Sequence, residues 1–170
     1  VLRPGFMLPP LMFSEEEIEA LVLGSRWVHQ RGDTQLANAA ANVLAKIGAV
    51  LPQDLRETLD DSGLLVGPTD AMSAGDAELP RIRQAIRRER KVAISYRDKD
   101  DTASRRVVWP FALAFFERSR VIVSWCELRG DYRHFRTDRI DSLQVSDHRY
   151  PRRRQALMKE WRERDVTTDH

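Results

Sequence analysis

Cysteine occurs once in this chain, at Cys126, and lysine only 4 times. A lone thiol excludes an internal disulfide framework and a multi-cysteine zinc site. The 8 glycines form no Gly-rich phosphate loop. No Gly-x-Ser-x-Gly elbow surrounds Ser124, Ser142 or Ser146, and His29, His134, His148 and His170 lack paired metal-ligand spacing. No charged stretch ahead of an apolar core marks a secretory signal. The uncharged segment Leu36–Ala45 is too short and too polar to span a bilayer. These absences predict a cytoplasmic protein with no catalytic residues, no metal and no cofactor: not an enzyme, and not a membrane partner.

What the chain does have is charge, unevenly placed. Across 170 residues, 28 Lys+Arg stand against 26 Asp+Glu, a net charge of +2, with 42% hydrophobic residues, enough for a real core. Residues 1–80 carry 5 basic and 12 acidic side chains, net −7, while residues 81–170 carry 23 and 14, net +9. The basic residues are 24 Arg to 4 Lys, and the planar guanidinium is the better bidentate donor to phosphate and carboxylate. An anionic partner for the second half is the expectation.

The acidic half is patterned as helices. Ser14-Glu15-Glu16-Glu17 has capping-box spacing, and Ile18, Leu21, Val22, Trp27 and Val28 make an apolar stripe that Gly32 stops. Asp33 is placed to cap a second, Ala-rich helix that Gly48 would end. A third, short helix is predicted from Pro52 towards Asp61. Residues 67–76 are small and polar, as a linker is. A basic helix follows over 78–90, with Leu79, Ile82, Ala85 and Ile86 as its apolar face.

Beyond it the period falls to two. Strands are predicted over 92–97, 105–109 (closed by Pro110), 113–116, 121–126, 133–137 and 142–146, and such closely spaced short strands indicate a small antiparallel barrel. An Arg-rich helix over 153–164 ends the chain, with Trp161 placed to dock it onto the barrel or a second subunit. The expected class is α+β, in three parts: a helical linker or dimerisation segment, 1–75; the barrel, 76–150; and the basic C-terminal helix, 151–170.

The motif Arg105-Arg106-Val107-Val108-Trp109-Pro110, the run Val121–Arg129, and Asp131-Tyr132-Arg133-His134-Phe135-Arg136-Thr137-Asp138-Arg139-Ile140 together resemble the WYL domain of bacterial transcription regulators. Phe6–Ser14 with Glu16, Ile18, Glu19, Ala20 and Leu21 resembles the segment joining the DNA-binding and WYL domains in YafY-type, DeoR-like regulators. The name-giving Trp-Tyr-Leu is absent, since Arg120-Val121-Ile122 stands where it should fall. The resemblance implies an Sm-like or SH3-like barrel and a basic groove sensing a nucleotide, a single-stranded nucleic acid or another anionic effector. It also implies a homodimer, and DNA binding through a helix-turn-helix domain not present in this chain, which begins at Val1 rather than Met. The alternative is a stand-alone Sm-like module that binds RNA or single strands.

Alternation along strands puts Arg105 with Val107 and Trp109, Arg106 with Val108, Arg133 with Phe135, and His134 with Arg136. The ligand-binding candidates are Tyr96, Arg105, Arg106, Arg129, Arg133, His134, Arg136 and Arg139. The guanidiniums would clamp a phosphate, with Arg136 and Arg139 converging near Arg106 or Tyr96, and Tyr96, Tyr132 or His134 would stack on a base. Asp138 is a competing partner for Arg136 or Arg139. Cys126, at a strand end, is expected to be buried, and Trp109 and Trp125 to serve the core or the barrel rim.

Overall fold

A computed structural model describes residues 11–60, 63–67 and 75–168; the segment Phe6–Pro10 of the family resemblance and most of the expected linker lie outside them. The chain separates into two compact units, 1–68 and 69–170.

The first unit holds three helices: α1 (Glu15–Arg31), α2 (Thr34–Val50) and α3 (Gln53–Asp60). The capping box forms as expected, Glu17 N donating to Ser14 Oγ at 3.3 Å and Ser14 N to Glu17 Oε2 at 2.8 Å. Asp33, buried at 3% exposure, caps α2 by accepting from Gln35 N and Leu36 N. Helix α2 does not stop at Gly48 but runs on to Val50. A helix tolerates an interior glycine at a cost of about 1 kcal/mol; the true stop is Pro52, which disfavours helical backbone in the residue before it.

The second unit is a five-stranded antiparallel sheet with one helix on each face. A single 3₁₀ turn, Asp76–Glu78, leads into α4 (Leu79–Arg88); then come β1 (Arg90–Arg97), β2 (Ala103–Phe115), β3 (Arg120–Cys126), β4 (Asp131–Arg136), β5 (Ile140–Arg149) and α5 (Arg154–Thr168). The α+β class is as the sequence predicts. The strand order is β4-β3-β2-β1-β5, with no ladder between β4 and β5, so the sheet is not closed into a barrel. It is nonetheless strongly curled. Only the 3₁₀ turn Thr137–Arg139 separates the two edge strands, and four peptide steps reach at most about 15 Å. A flat sheet would hold those edges about 19 Å apart.

Two expected strands, 105–109 and 113–116, are one: β2 passes through Pro110. The register against β3 shifts between Pro110 and Ala112, and a bulge there absorbs the missing donor of proline. Tyr150 Oη donates to the freed Pro110 carbonyl at 3.2 Å. The core on the inner face comprises Val92, Ile94, Val108, Ile122, Cys126, Phe135 and Leu143, closed by Leu79, Ile82, Ala85 and Ile86 of α4, the four residues its periodicity singles out. Each fully buried aliphatic side chain contributes about 1.5–3 kcal/mol. Gly75 (φ +83) packs so tightly on the Thr137 carbonyl that a Cβ would come within 2.7 Å of it.

Helix α4 ends two residues before the sequence predicts, because Glu89 turns into left-handed backbone, φ 54 and ψ 44, where a Cβ costs about 1 kcal/mol. Its side chain accounts for the choice. Glu89 Oε1 accepts from Arg154 N, the first residue of α5, at 2.9 Å, while Oε2 pairs with Arg149 at 3.2 Å and Arg153 at 3.6 Å. Its carbonyl accepts from Tyr150 N at 3.1 Å. One residue therefore fastens the α4–β1 corner to the β5–α5 corner. Glu89→Gln, which keeps the cap acceptor but loses the charge, should cost about 1–2 kcal/mol in urea denaturation. Glu89→Gly should cost more despite its relaxed backbone; a glycine variant as stable as the parent would show that the carboxylate does not hold α5.

Candidate functional site

The two faces of the curled sheet are covered differently. The inner face is filled by α4. On the outer face, the part built from β2, β3 and β4 carries Trp109, Phe111, Val123, Trp125 and Tyr132, packed with Leu157, Met158 and Trp161 of α5 and with Tyr150. The part built from β2, β1 and β5 instead presents small and polar side chains. Ser142 and Gln144 are exposed, and Val107 is 38% exposed.

A trough runs along this open part. One depression, about 490 Å³, is lined at its far end by Lys91, Ser146, His148 and Arg149; the second, about 220 Å³, lies by Ser95, Arg105 and Ser142. Both share Ala93, Val107 and Gln144 as floor. Strand register sets the layout. Ser95 pairs with Arg105 on one side and Ser142 on the other; Ala93 pairs with Val107 and Gln144. Among the described residues, three cationic side chains, Lys91, Arg105 and Arg149, lie along the trough, and no Asp or Glu lines it.

Of the eight expected site residues, Arg105 borders the trough, whereas Arg106 pairs with Ile94 and turns its side chain to the inner face with Val108. Arg105 is exposed and has no carboxylate partner among the described residues. Arg106 is half-buried and donates from Nε to Ser104 Oγ at 3.0 Å. Tyr96, Arg136 and Arg139 gather instead at the β4–β5 corner. Tyr96 meets Phe135 edge-on at 5.0 Å, and Arg136 grips Asp138 with two hydrogen bonds of 3.0 and 2.8 Å. That grip, with Arg139 adding a smaller pull, holds the Asp138 carboxyl below its usual range against the effect of burial. Asp138 thus takes the Arg136 guanidinium that a phosphate would need. Arg129 is exposed in the β3–β4 turn, Arg133 lies 3.8 Å from Asp131, and the His134 ring meets Trp161 of α5 edge-on at 5.9 Å. The structure does not bring these three together with the trough.

Sequence reasoning passed over Lys91, Ser95, Ser142, Gln144, His148 and Arg149. The available signal was in β5, where Ser142, Gln144 and Ser146 alternate with Leu143 and Val145: an outward row of small polar residues where a solvated strand carries charge. Lys91 was hidden because the first strand starts two residues before the predicted Val92.

An aromatic tier stands between the trough and α5. Tyr150 and Trp125 stack on either side of Trp109, each at 6.1 Å, with Tyr132 edge-on to Trp125 at 5.1 Å. Lys91 and Arg152 lie over Trp109 and Trp125 at 5.5 and 6.0 Å. Lys91 Nζ and Trp109 Nε1 both donate to Glu127 Oε1 at 2.7 Å. The Lys91 hydrogen bond, seconded by Trp109, holds the Glu127 carboxyl below its usual range although burial opposes it. The stability this contributes is present above the unfolded carboxylate pKa, about 4.3, and is lost as pH falls through the lower folded value. Since the Glu127 side chain is 36% exposed, the contribution is under about 1 kcal/mol. Thermal melts between pH 7 and pH 3 should show Glu127→Gln less stable at neutrality, with the gap closing in acid; a constant gap would assign its effect to packing.

No helix among the described residues is long and apolar enough to cross a membrane. Among solved structures, the proteasome accessory factor B/C (PafBC) of Arthrobacter aurescens is similar at 21% identity and a TM-score of 0.45, over 84% of this chain and 22% of that one. The chain thus spans about a fifth of that protein's length. The helix α4 and most of the sheet fall within residues 77–145, which match the WYL domain family model.

Proposed function

We propose that this chain is the effector-sensing and dimerising portion of a bacterial transcription regulator, cytoplasmic and without catalytic activity of its own. The effector is a nucleotide or a single-stranded nucleic acid, bound through its anionic group in the trough over β2, β1 and β5. Arg105 is its primary contact. The single observation that carries this reading is the trough's lining, three cationic side chains and no carboxylate among the described residues, in a protein with 26 acidic residues. Ligands act on such a regulator by binding one arrangement better than another, which shifts the DNA-binding domains attached elsewhere in the protein. Dimerisation through the first unit is supported by α2, where only Ala40 is buried and Val43 and Val50 remain 45% and 82% exposed.

Tryptophan fluorescence titration is a direct test, since Trp109 adjoins the trough. Mononucleotides or short single-stranded oligonucleotides should bind with dissociation constants of roughly micromolar to millimolar order. Arg105→Ala should weaken binding about tenfold or more, while Arg136→Ala, already committed to Asp138, should change it little. Binding indifferent to Arg105→Ala would remove the trough as the site.

A further inference from the structure

The cations around the trough are not equivalent, and their pairing says which anion fits. Lys91 is held by Glu127 at 2.7 Å and Arg149 by Glu89 at 3.2 Å. An incoming phosphate must share either one with a carboxylate already in place, so the net charge at that end is small. Arg105, at the opposite end, has no such partner among the described residues. The uncompensated charge of the trough is concentrated there.

The side chains next to Arg105 fit a tetrahedral oxyanion. Ser95 and Ser142 follow it across the strands at about 4.8 Å spacing, so one guanidinium and two hydroxyls lie within about 10 Å. The next row, Val107, Ala93 and Gln144, has no charge at all: an apolar edge, a floor with almost no side chain, and an amide that both donates and accepts. A flat heterocycle with hydrogen-bonding edges matches that row. A phosphodiester chain does not, because its successive phosphates require repeated free cations.

Resting on the trough being the effector site, we infer that its ligand is a nucleoside monophosphate, with phosphate at Arg105, Ser95 and Ser142 and base over Ala93 and Gln144, rather than a nucleic-acid strand. The ligand carries its charge at one end. Its binding therefore depends on salt as a single phosphate contact does, with a log–log slope of about −1, whereas a strand contacting several phosphates gives a proportionally steeper one.

The test is calorimetric titration of the 170-residue chain with adenosine 5′-monophosphate, adenosine, inorganic phosphate and a ten-nucleotide oligothymidylate, at several salt concentrations. The monophosphate should bind at least about tenfold more tightly than adenosine, phosphate should compete with it, and the slope should lie near −1. Arg105→Gln should bring the monophosphate down to the level of adenosine, while Arg87→Gln, an equal charge loss on exposed α4, should leave the ratio intact. Near-ultraviolet circular dichroism would verify that both variants are folded. Tighter binding of the oligothymidylate, with a slope of −3 or steeper, would overturn the monophosphate assignment and leave the trough standing as an anion site. Absence of binding by all four would overturn the trough reading itself.

Discussion

The position of α5 depends on a carboxylate that local backbone preference would not have put there. Glu89 occupies left-handed backbone, where glycine is the low-cost choice, and its side chain reaches 65 residues along the chain to cap α5 at Arg154. The exchange is favourable because the capped amide, the Arg149 and Arg153 guanidiniums and the nearby carboxylate, only 16% exposed, satisfy one another, and charged hydrogen bonds of this kind exceed the backbone cost. With α5 fixed at its first turn, Leu157 and Trp161 meet Phe111 and cover one half of the outer sheet. The other half remains open.

That division of the outer face is what creates a site. A sheet needs only one covered face to be stable, and here the inner core under α4 supplies it. Where α5 lies, the outer face had to become aromatic. Beyond its reach, side chains were free to become small, and the longer side chains of Lys91, Arg149 and Arg105 rim the row of Ala93, Ser95, Ser142 and Gln144. The stack of Trp109 between Tyr150 and Trp125 marks the border, with Lys91 and Glu127 sealing it from the trough side.

Features fixed by neighbours in sequence were legible before the fold was known. The Ser14 box, the Asp33 cap, the α4 stripe and the buried Cys126 all follow from periodicity or capping chemistry that acts within a few residues. Features settled by distant partners were not. Gly48 failed as a stop because Pro52 is the stronger signal, Pro110 failed as a strand end because a bulge and the Tyr150 hydroxyl accommodate it, and α4 ended early because Glu89 answers to α5. The open sheet was beyond reach for the same reason, since closure depends on whether β4 and β5 pair after a three-residue turn.

The candidate site divides along the same line. Choosing arginines found Arg105 but also Arg106, which register turns to the inner face, and Arg136, which Asp138 occupies from two residues away. The net charge of +9 over residues 81–170 made every guanidinium there look available. Much of that charge is internally compensated, as Arg97 is by Asp141 and Arg152 by Glu160. A surface attracts an anion through the charge that remains after such pairing, because a paired cation has to give up one carboxylate to gain another and nets little. Serine, alanine and glutamine on the outward positions of β1 and β5 carry no charge, yet they determine where the free guanidinium of Arg105 can act on a ligand of defined shape. The informative residues for binding are the small ones that keep the floor clear, and they become visible only once strand register shows which of them lie side by side.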